Sequence, residues 1–145
     1  MKIAVFSFEL PFPCENGYTT YVWNICLTLK TLGHELTLFA NVDEERRYNT
    51  YSNKLKEVFQ NIVLLDKKKT STISFIVSVI KKAPYITYRL LTRKNEELVH
   101  DYLNNFDLAL FNYLYYSPLL RLKPDGAKTN VLVQHNVDSE VFRVA

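Results

Sequence analysis

Within its first forty residues the chain spells a strand, a turn-forming loop, a helix and a second strand, and this order constrains the fold more than any other feature. Lys2 to Phe8 (KIAVFSF) is a continuous apolar run, as expected of a strand covered on both faces. The loop Glu9 to Gly17 (ELPFPCENG) holds two prolines and ends in Asn16 and Gly17, residue types that tolerate positive φ. From Tyr18 the apolar positions Val22, Ile25, Cys26, Leu29 and Leu32 recur at helical spacing, and Gly33 supplies a left-handed stop. Glu35 to Ala40 (ELTLFA) reads as the next strand. A strand returning through a helix to a second strand implies a parallel sheet.

The remainder extends this pattern. Asp43 to Gln60 predicts a solvated helix with a seam at Leu55, Val58 and Phe59, and Ile62 to Leu65 a third strand. Two amphipathic helices follow. Ser71 to Lys82 gathers Ile73, Ile76, Val77 and Ile80 on one face, and a helix opened by Pro84 gathers Tyr88, Leu91, Leu98 and Tyr102. Asp107 to Phe111 and Asn130 to Val133 read as buried strands, with a short helix near Ser117 to Leu122 between them. Asp138 or Ser139 is placed to cap a further helix, so the chain is expected to continue past Ala145. The expectation is one α/β domain over 1–145, a three-layer sandwich on a mostly parallel five-stranded sheet.

Charge is unevenly placed. Lys67, Lys68, Lys69, Lys81, Lys82, Arg89, Arg93 and Lys94 fall in one stretch without Asp or Glu, while the rest of the chain is net acidic. With Phe75, Tyr85 and Tyr88 among them, these residues suit an anionic membrane surface; equally, Ile73, Ile76 and Leu91 could pack on the sheet beneath solvated lysines. The longest apolar run, Ile73 to Ile80, is too short to span a bilayer and is interrupted by Ser74 and Ser78. Two cysteines, one of them on the buried helix face, suggest a reducing, intracellular setting. Nucleic acid is not expected as a partner, because no recognition motif is present.

In parallel α/β sheets ligands sit beyond the carboxyl ends of the strands. Three stretches qualify. Asn16 and Gly17 open a helix, where backbone N–H groups can meet a diphosphate, although the pair could merely form the turn. Asn112 and Tyr113 end the fourth strand, and His135 and Asn136 follow the fifth with groups able to bond sugar hydroxyls; His135 could equally be a structural residue. The glycine fingerprints of dinucleotide and ATP sites are missing, and His34, His100 and His135 have no metal-ligand spacing, so neither a cofactor nor a metal is expected.

The opening strand, the Pro-rich loop ending in Gly17, the helix closing at Leu32, Gly33 and His34, and the run His135, Asn136, Val137, Asp138, Ser139 together resemble the N-terminal half of family 4 glycosyltransferases of the GT-B fold. The resemblance covers the whole chain. It implies a Rossmann-like, acceptor-side domain of a retaining enzyme that uses a nucleotide sugar, with Asn16 and Gly17 facing the donor diphosphate and His135, Asn136, Asn112 and Tyr113 lining the cleft. The acceptor would be a saccharide or a lipid-linked sugar. The sequence departs from the family in having Asn16 where a second glycine is usual, Asn112 and Tyr113 where a cleft histidine is frequent, and Asp138 in place of Glu, so the catalytic residues are left unassigned. The donor-binding half is not in the chain, so this chain alone should be inactive, and surface meant for that half could drive self-association. The cysteine usage points to a cytoplasmic location, which the basic stretch, if it meets lipid, would make peripheral on the inner face of the membrane. A different arrangement gives the same features: a non-catalytic acceptor-binding or membrane-recruiting subunit that pairs with a separate donor-binding chain.

Overall fold

The computed structural model of the chain describes residues 1–41, 45–66, 71–80, 85–90, 92–113, 116 and 129–133. In chain order the elements are β1 (Lys2–Ser7), α1 (Gly17–Thr31), β2 (Glu35–Asn41), α2 (Glu45–Lys56), β3 (Asn61–Leu65), α3 (Thr72–Ile80), α4 (Tyr85–Leu90), α5 (Arg93–Leu103), β4 (Leu108–Asn112) and β5 (Thr129–Val133). The strands form one sheet in the order β3-β2-β1-β4-β5, and every pairing is parallel.

The sheet divides the core by the pleat. Ile3, Val5, Leu36, Leu38, Ala40 and Leu110 face α1, the end of α2 and the segment that follows it, where Val22, Trp23, Cys26, Leu55, Val58 and Phe59 close over them. Ala4, Phe6, Phe39, Ala109 and Phe111 face the other way, onto Val99 and Leu103 of α5 and onto Tyr116. On that second face register creates a stack: Phe6 pairs with both Phe39 and Phe111, and its ring lies 4.6 Å and 4.5 Å from theirs. Each such ring pair contributes about 1 kcal/mol beyond its buried area. The architecture is a Rossmann-like three-layer α/β sandwich.

Local chemistry sets the ends of α1. Asn16 is its N-cap, accepting the Thr19 N–H at 2.8 Å while Thr19 Oγ1 accepts the Asn16 N–H at 3.1 Å, a reciprocal capping box. At the other end Gly33 takes φ +82°, and the N–H groups of His34 and Gly33 donate to the carbonyls of Leu29 and Lys30. This is the Schellman arrangement that a glycine permits. The helix buries Thr19, Val22, Trp23 and Cys26. Leu32 is not part of that face; as the C-cap residue it is 66% exposed.

The sequence reading fails in three places beyond β3. One expected helix from Pro84 is two, because Thr92 interrupts it and caps α5 by accepting the Asn95 N–H. The buried face of α5 is Asn95, Val99 and Leu103 rather than a stripe through Leu98 and Tyr102. Asn95 carries that displacement: its amide bonds both the N–H and the carbonyl of Asp66, tying α5 to the end of β3. In helix α3, by contrast, one of the two readings left open is the one found: Ile73, Ile76 and Ile80 are exposed rather than packed on the sheet, and Ser78 is buried. Strand β5, read as buried, is an edge strand exposed along Thr129 to Leu132. The helix expected at Ser117 to Leu122 and the cap at Asp138 or Ser139 lie outside the described residues.

Candidate functional site

From β1 the chain crosses to β2 on one side, and from β4 it passes to β5 on the other. The order therefore reverses between β1 and β4, and the two connections diverge above the carboxyl ends of these strands. Open parallel sheets bind ligands at such a point. Here Ser7 and Asn112 are paired as the last residues of their strands, and Asn112 is paired in turn with Val133, the last residue of β5.

Where β1 leaves the sheet its backbone groups lose their ladder partners, and three side chains replace them. The Tyr116 hydroxyl lies 3.0 Å from the Ser7 carbonyl and 3.2 Å from Asn41 Oδ1, and donates to this pair of acceptors. Asn41, at the end of β2, donates its Nδ2 hydrogen to the Phe8 carbonyl at 2.9 Å. Tyr18, in the first turn of α1, accepts the Phe8 N–H at 3.0 Å and donates to the Asn112 carbonyl at 2.9 Å, with Ser7 Oγ also 3.0 Å away. Burial pushes the Tyr18 phenol up to about 12, outweighing the lowering effect of its hydrogen bonds to Ser7 and Phe8. Burial raises Tyr116 as well, with Tyr18 adding to the effect. Both hydroxyls stay neutral and hold the rim as hydrogen-bonding groups.

Asn112 differs from Asn41. Its side chain is fully buried, yet among the described residues neither Nδ2 nor Oδ1 has a hydrogen-bond partner. Following Leu108 and Leu110 in the alternation of β4, it falls on the face of the sheet covered by α1. A buried amide left with donor and acceptor both open costs about 1–3 kcal/mol and is uncommon in native proteins. Next to it Tyr113 adopts φ 152°, a positive value rare for a residue with a side chain. Its ring stands edge-on to Tyr18 at 5.4 Å and 6.3 Å from Phe8, so an aromatic wall adjoins the open amide.

Asn16 and Gly17 reach the same rim by a different route from the one expected. Neither needs positive φ: Asn16 is extended at φ −145°, ψ 173°, and among the glycines described only Gly33 has the left-handed value. The Asn16 side chain is occupied by capping Thr19 and by donating to Glu9 Oε2 at 3.0 Å. The group it leaves to an incoming ligand is Gly17, which lies in the helix's first turn and around whose Cα an added Cβ would meet nothing within 4 Å. Glu9 places a carboxylate beside this positive helix end.

The structure thus brings together Gly17, Asn112 and Tyr113. Tyr18, Asn41, Ser7 and Tyr116 complete the rim and went unread in the sequence; a usable signal was the pair of asparagines, each ending a buried apolar run. His135 and Asn136 lie outside the described residues, as do Lys67, Lys68, Lys69, Lys81 and Lys82. The other three basic candidates are engaged: Arg89 lies over the Tyr85 ring at 5.8 Å, Arg93 bonds Glu97 at 2.7 Å and Lys94 bonds Asp66 at 2.6 Å. The charge of Arg93 and Lys94 is therefore opposed by acids from outside the basic stretch. Among the described residues no group of three or more His, Cys, Asp or Glu could hold a metal, and no helix is long and apolar enough to cross a membrane.

Fold and rim together define a Rossmann-like α/β domain with a candidate ligand site at the β1/β4 switch point. Comparison with protein-family models, with curated proteins and with solved structures returns no match.

Proposed function

We propose that this chain is the acceptor-side domain of a retaining, nucleotide-sugar-dependent glycosyltransferase, binding its ligand at the rim between β1 and β4. The supporting observation is the Asn112 carboxamide, buried with both polar atoms unpartnered among the described residues. One donor and one acceptor at fixed spacing suit adjacent sugar hydroxyls, each of which can accept and donate. The Tyr113, Tyr18 and Phe8 rings supply the apolar surface that a sugar ring packs against. The positive end of α1 at Gly17 would offset negative charge on a departing nucleoside diphosphate once the Glu9 carboxylate held there by Asn16 is displaced. The reaction class itself rests on the resemblance of the opening loop, the α1 terminus and the His135 to Ser139 run to family 4 enzymes. A cytoplasmic setting belongs to the same proposal, and both cysteines are free thiols.

Backbone-amide NMR of the chain, titrated separately with monosaccharides, disaccharides and nucleoside diphosphates, tests this reading. Saccharides should shift Asn112, Tyr113 and Gly17, and Asn112→Ala should weaken the response about tenfold or more while the protein stays folded. Shifts confined to other surfaces, or a response unchanged in the variant, would defeat it.

A further inference from the structure

Helix α3 turns its most apolar side chains to solvent. Ile73 is 74% exposed, Phe75 55%, Ile76 52%, Val79 60% and Ile80 74%. At about 100° per residue these five occupy one arc of roughly 160°. Ser78, on the opposite side, is the buried residue, and its hydroxyl donates to the Phe75 carbonyl at 2.7 Å. The helix is held from its flank by α4, where Tyr85 meets Phe75 edge-on at 5.8 Å. A contiguous apolar arc of this kind requires an apolar medium.

The sequence around α3 indicates which medium. Residues 67–82 contain Lys67, Lys68, Lys69, Lys81 and Lys82 and no acid, so the apolar helix is bracketed by cations along the chain. A second copy docking by the same helix would bring two sets of these lysines together. A bilayer of anionic lipid satisfies both features: the acyl boundary receives the apolar arc and the headgroups attract the lysines. With nine residues α3 cannot span the hydrocarbon layer, so the stable placement is parallel to the surface. We propose that α3 is an interfacial helix that docks this domain onto membranes rich in anionic lipid. The proposal goes beyond the rim site and does not depend on it.

Co-sedimentation with vesicles of phosphatidylcholine alone, and of phosphatidylcholine mixed with phosphatidylglycerol, provides the test. Binding should require the anionic lipid and fall steeply with added salt. The double variant Ile76→Asp, Ile80→Asp, at exposed positions where the melting curve should be unchanged, should reduce binding by tenfold or more. Lys81→Gln with Lys82→Gln should reduce it by about twenty-fivefold, each lysine near an anionic surface contributing roughly fivefold. Equal binding to neutral vesicles, no binding to anionic ones, or aspartate variants that bind like the wild type would overturn the proposal. So would a wild-type dimer that the aspartate pair dissociates without any vesicle binding, which would assign the arc to a second copy.

Discussion

The hydroxyl of Tyr18 donates to the carbonyl of Asn112 at 2.9 Å, a bond between the first turn of α1 and the last residue of β4. It joins the two sides of the switch point, and the same oxygen accepts the N–H of Phe8 where β1 leaves the sheet. One phenol therefore fixes the spacing between the helix terminus and the strand end that frame the candidate site.

Removal of that hydroxyl should be costly although the ring remains. Tyr18→Phe leaves the Phe8 N–H without its partner in a half-buried setting, and a destabilisation of about 1–2 kcal/mol is expected from urea unfolding. A variant as stable as the wild type would show that solvent replaces the phenol.

The two rim asparagines should respond in opposite ways. Asn41→Ala strands the Phe8 carbonyl and deprives Tyr116 of an acceptor, a loss of about 2–3 kcal/mol. Asn112→Ala breaks no hydrogen bond and removes an unpartnered amide, so its stability should stay within about 1 kcal/mol of the wild type. Parallel denaturation curves distinguish the residues; an equal, large loss at Asn112 would mean that its amide is structurally engaged.

Glycine is required at one of the two described positions and not at the other. Gly33→Ala forces a side chain into φ +82° and should cost about 1–2 kcal/mol. Gly17→Ala meets nothing within 4 Å and should leave the melting temperature unchanged or slightly higher. A Cβ at position 17 would, however, stand in the path of an anion approaching the α1 terminus, so weaker diphosphate binding with full stability is the expected signature.

Alkaline pH should destabilise the fold before any ligand is considered. Burial raises the Cys26 thiol from 9.0 to about 12 and the Tyr18 phenol from 10.0 to about 12. Above the unfolded-state values the unfolded chain releases protons that the native state retains, so stability present below about pH 9 declines as pH rises toward 12. Urea midpoints measured across this range should fall, and Cys26→Ala should fall less steeply between pH 9 and pH 10. Identical slopes would mean that the thiol ionises without unfolding.

Much of the sheet was legible because its strands are buried on both faces and so carry unbroken apolar runs. Lys2 to Phe8, Glu35 to Ala40 and Asp107 to Phe111 each predict their strand to within a residue at either end. The Gly33 stop was equally readable, since the requirement for a left-handed residue is local. Helix α3 was not legible: periodicity identifies an apolar face but not the direction in which the fold turns it, and here that face points outward.

The sequence by itself determined the α/β class and the parallel crossover, because strand burial, helix periodicity and capping depend on residues a few positions apart. Tertiary structure alone decided that Tyr18 would meet Asn112, that Asn41 would be satisfied and Asn112 left open, and that α3 would present its isoleucines to solvent. Those outcomes depend on which strands become neighbours and in what register. These are relations between residues up to a hundred positions apart, for which no local pattern carries the information.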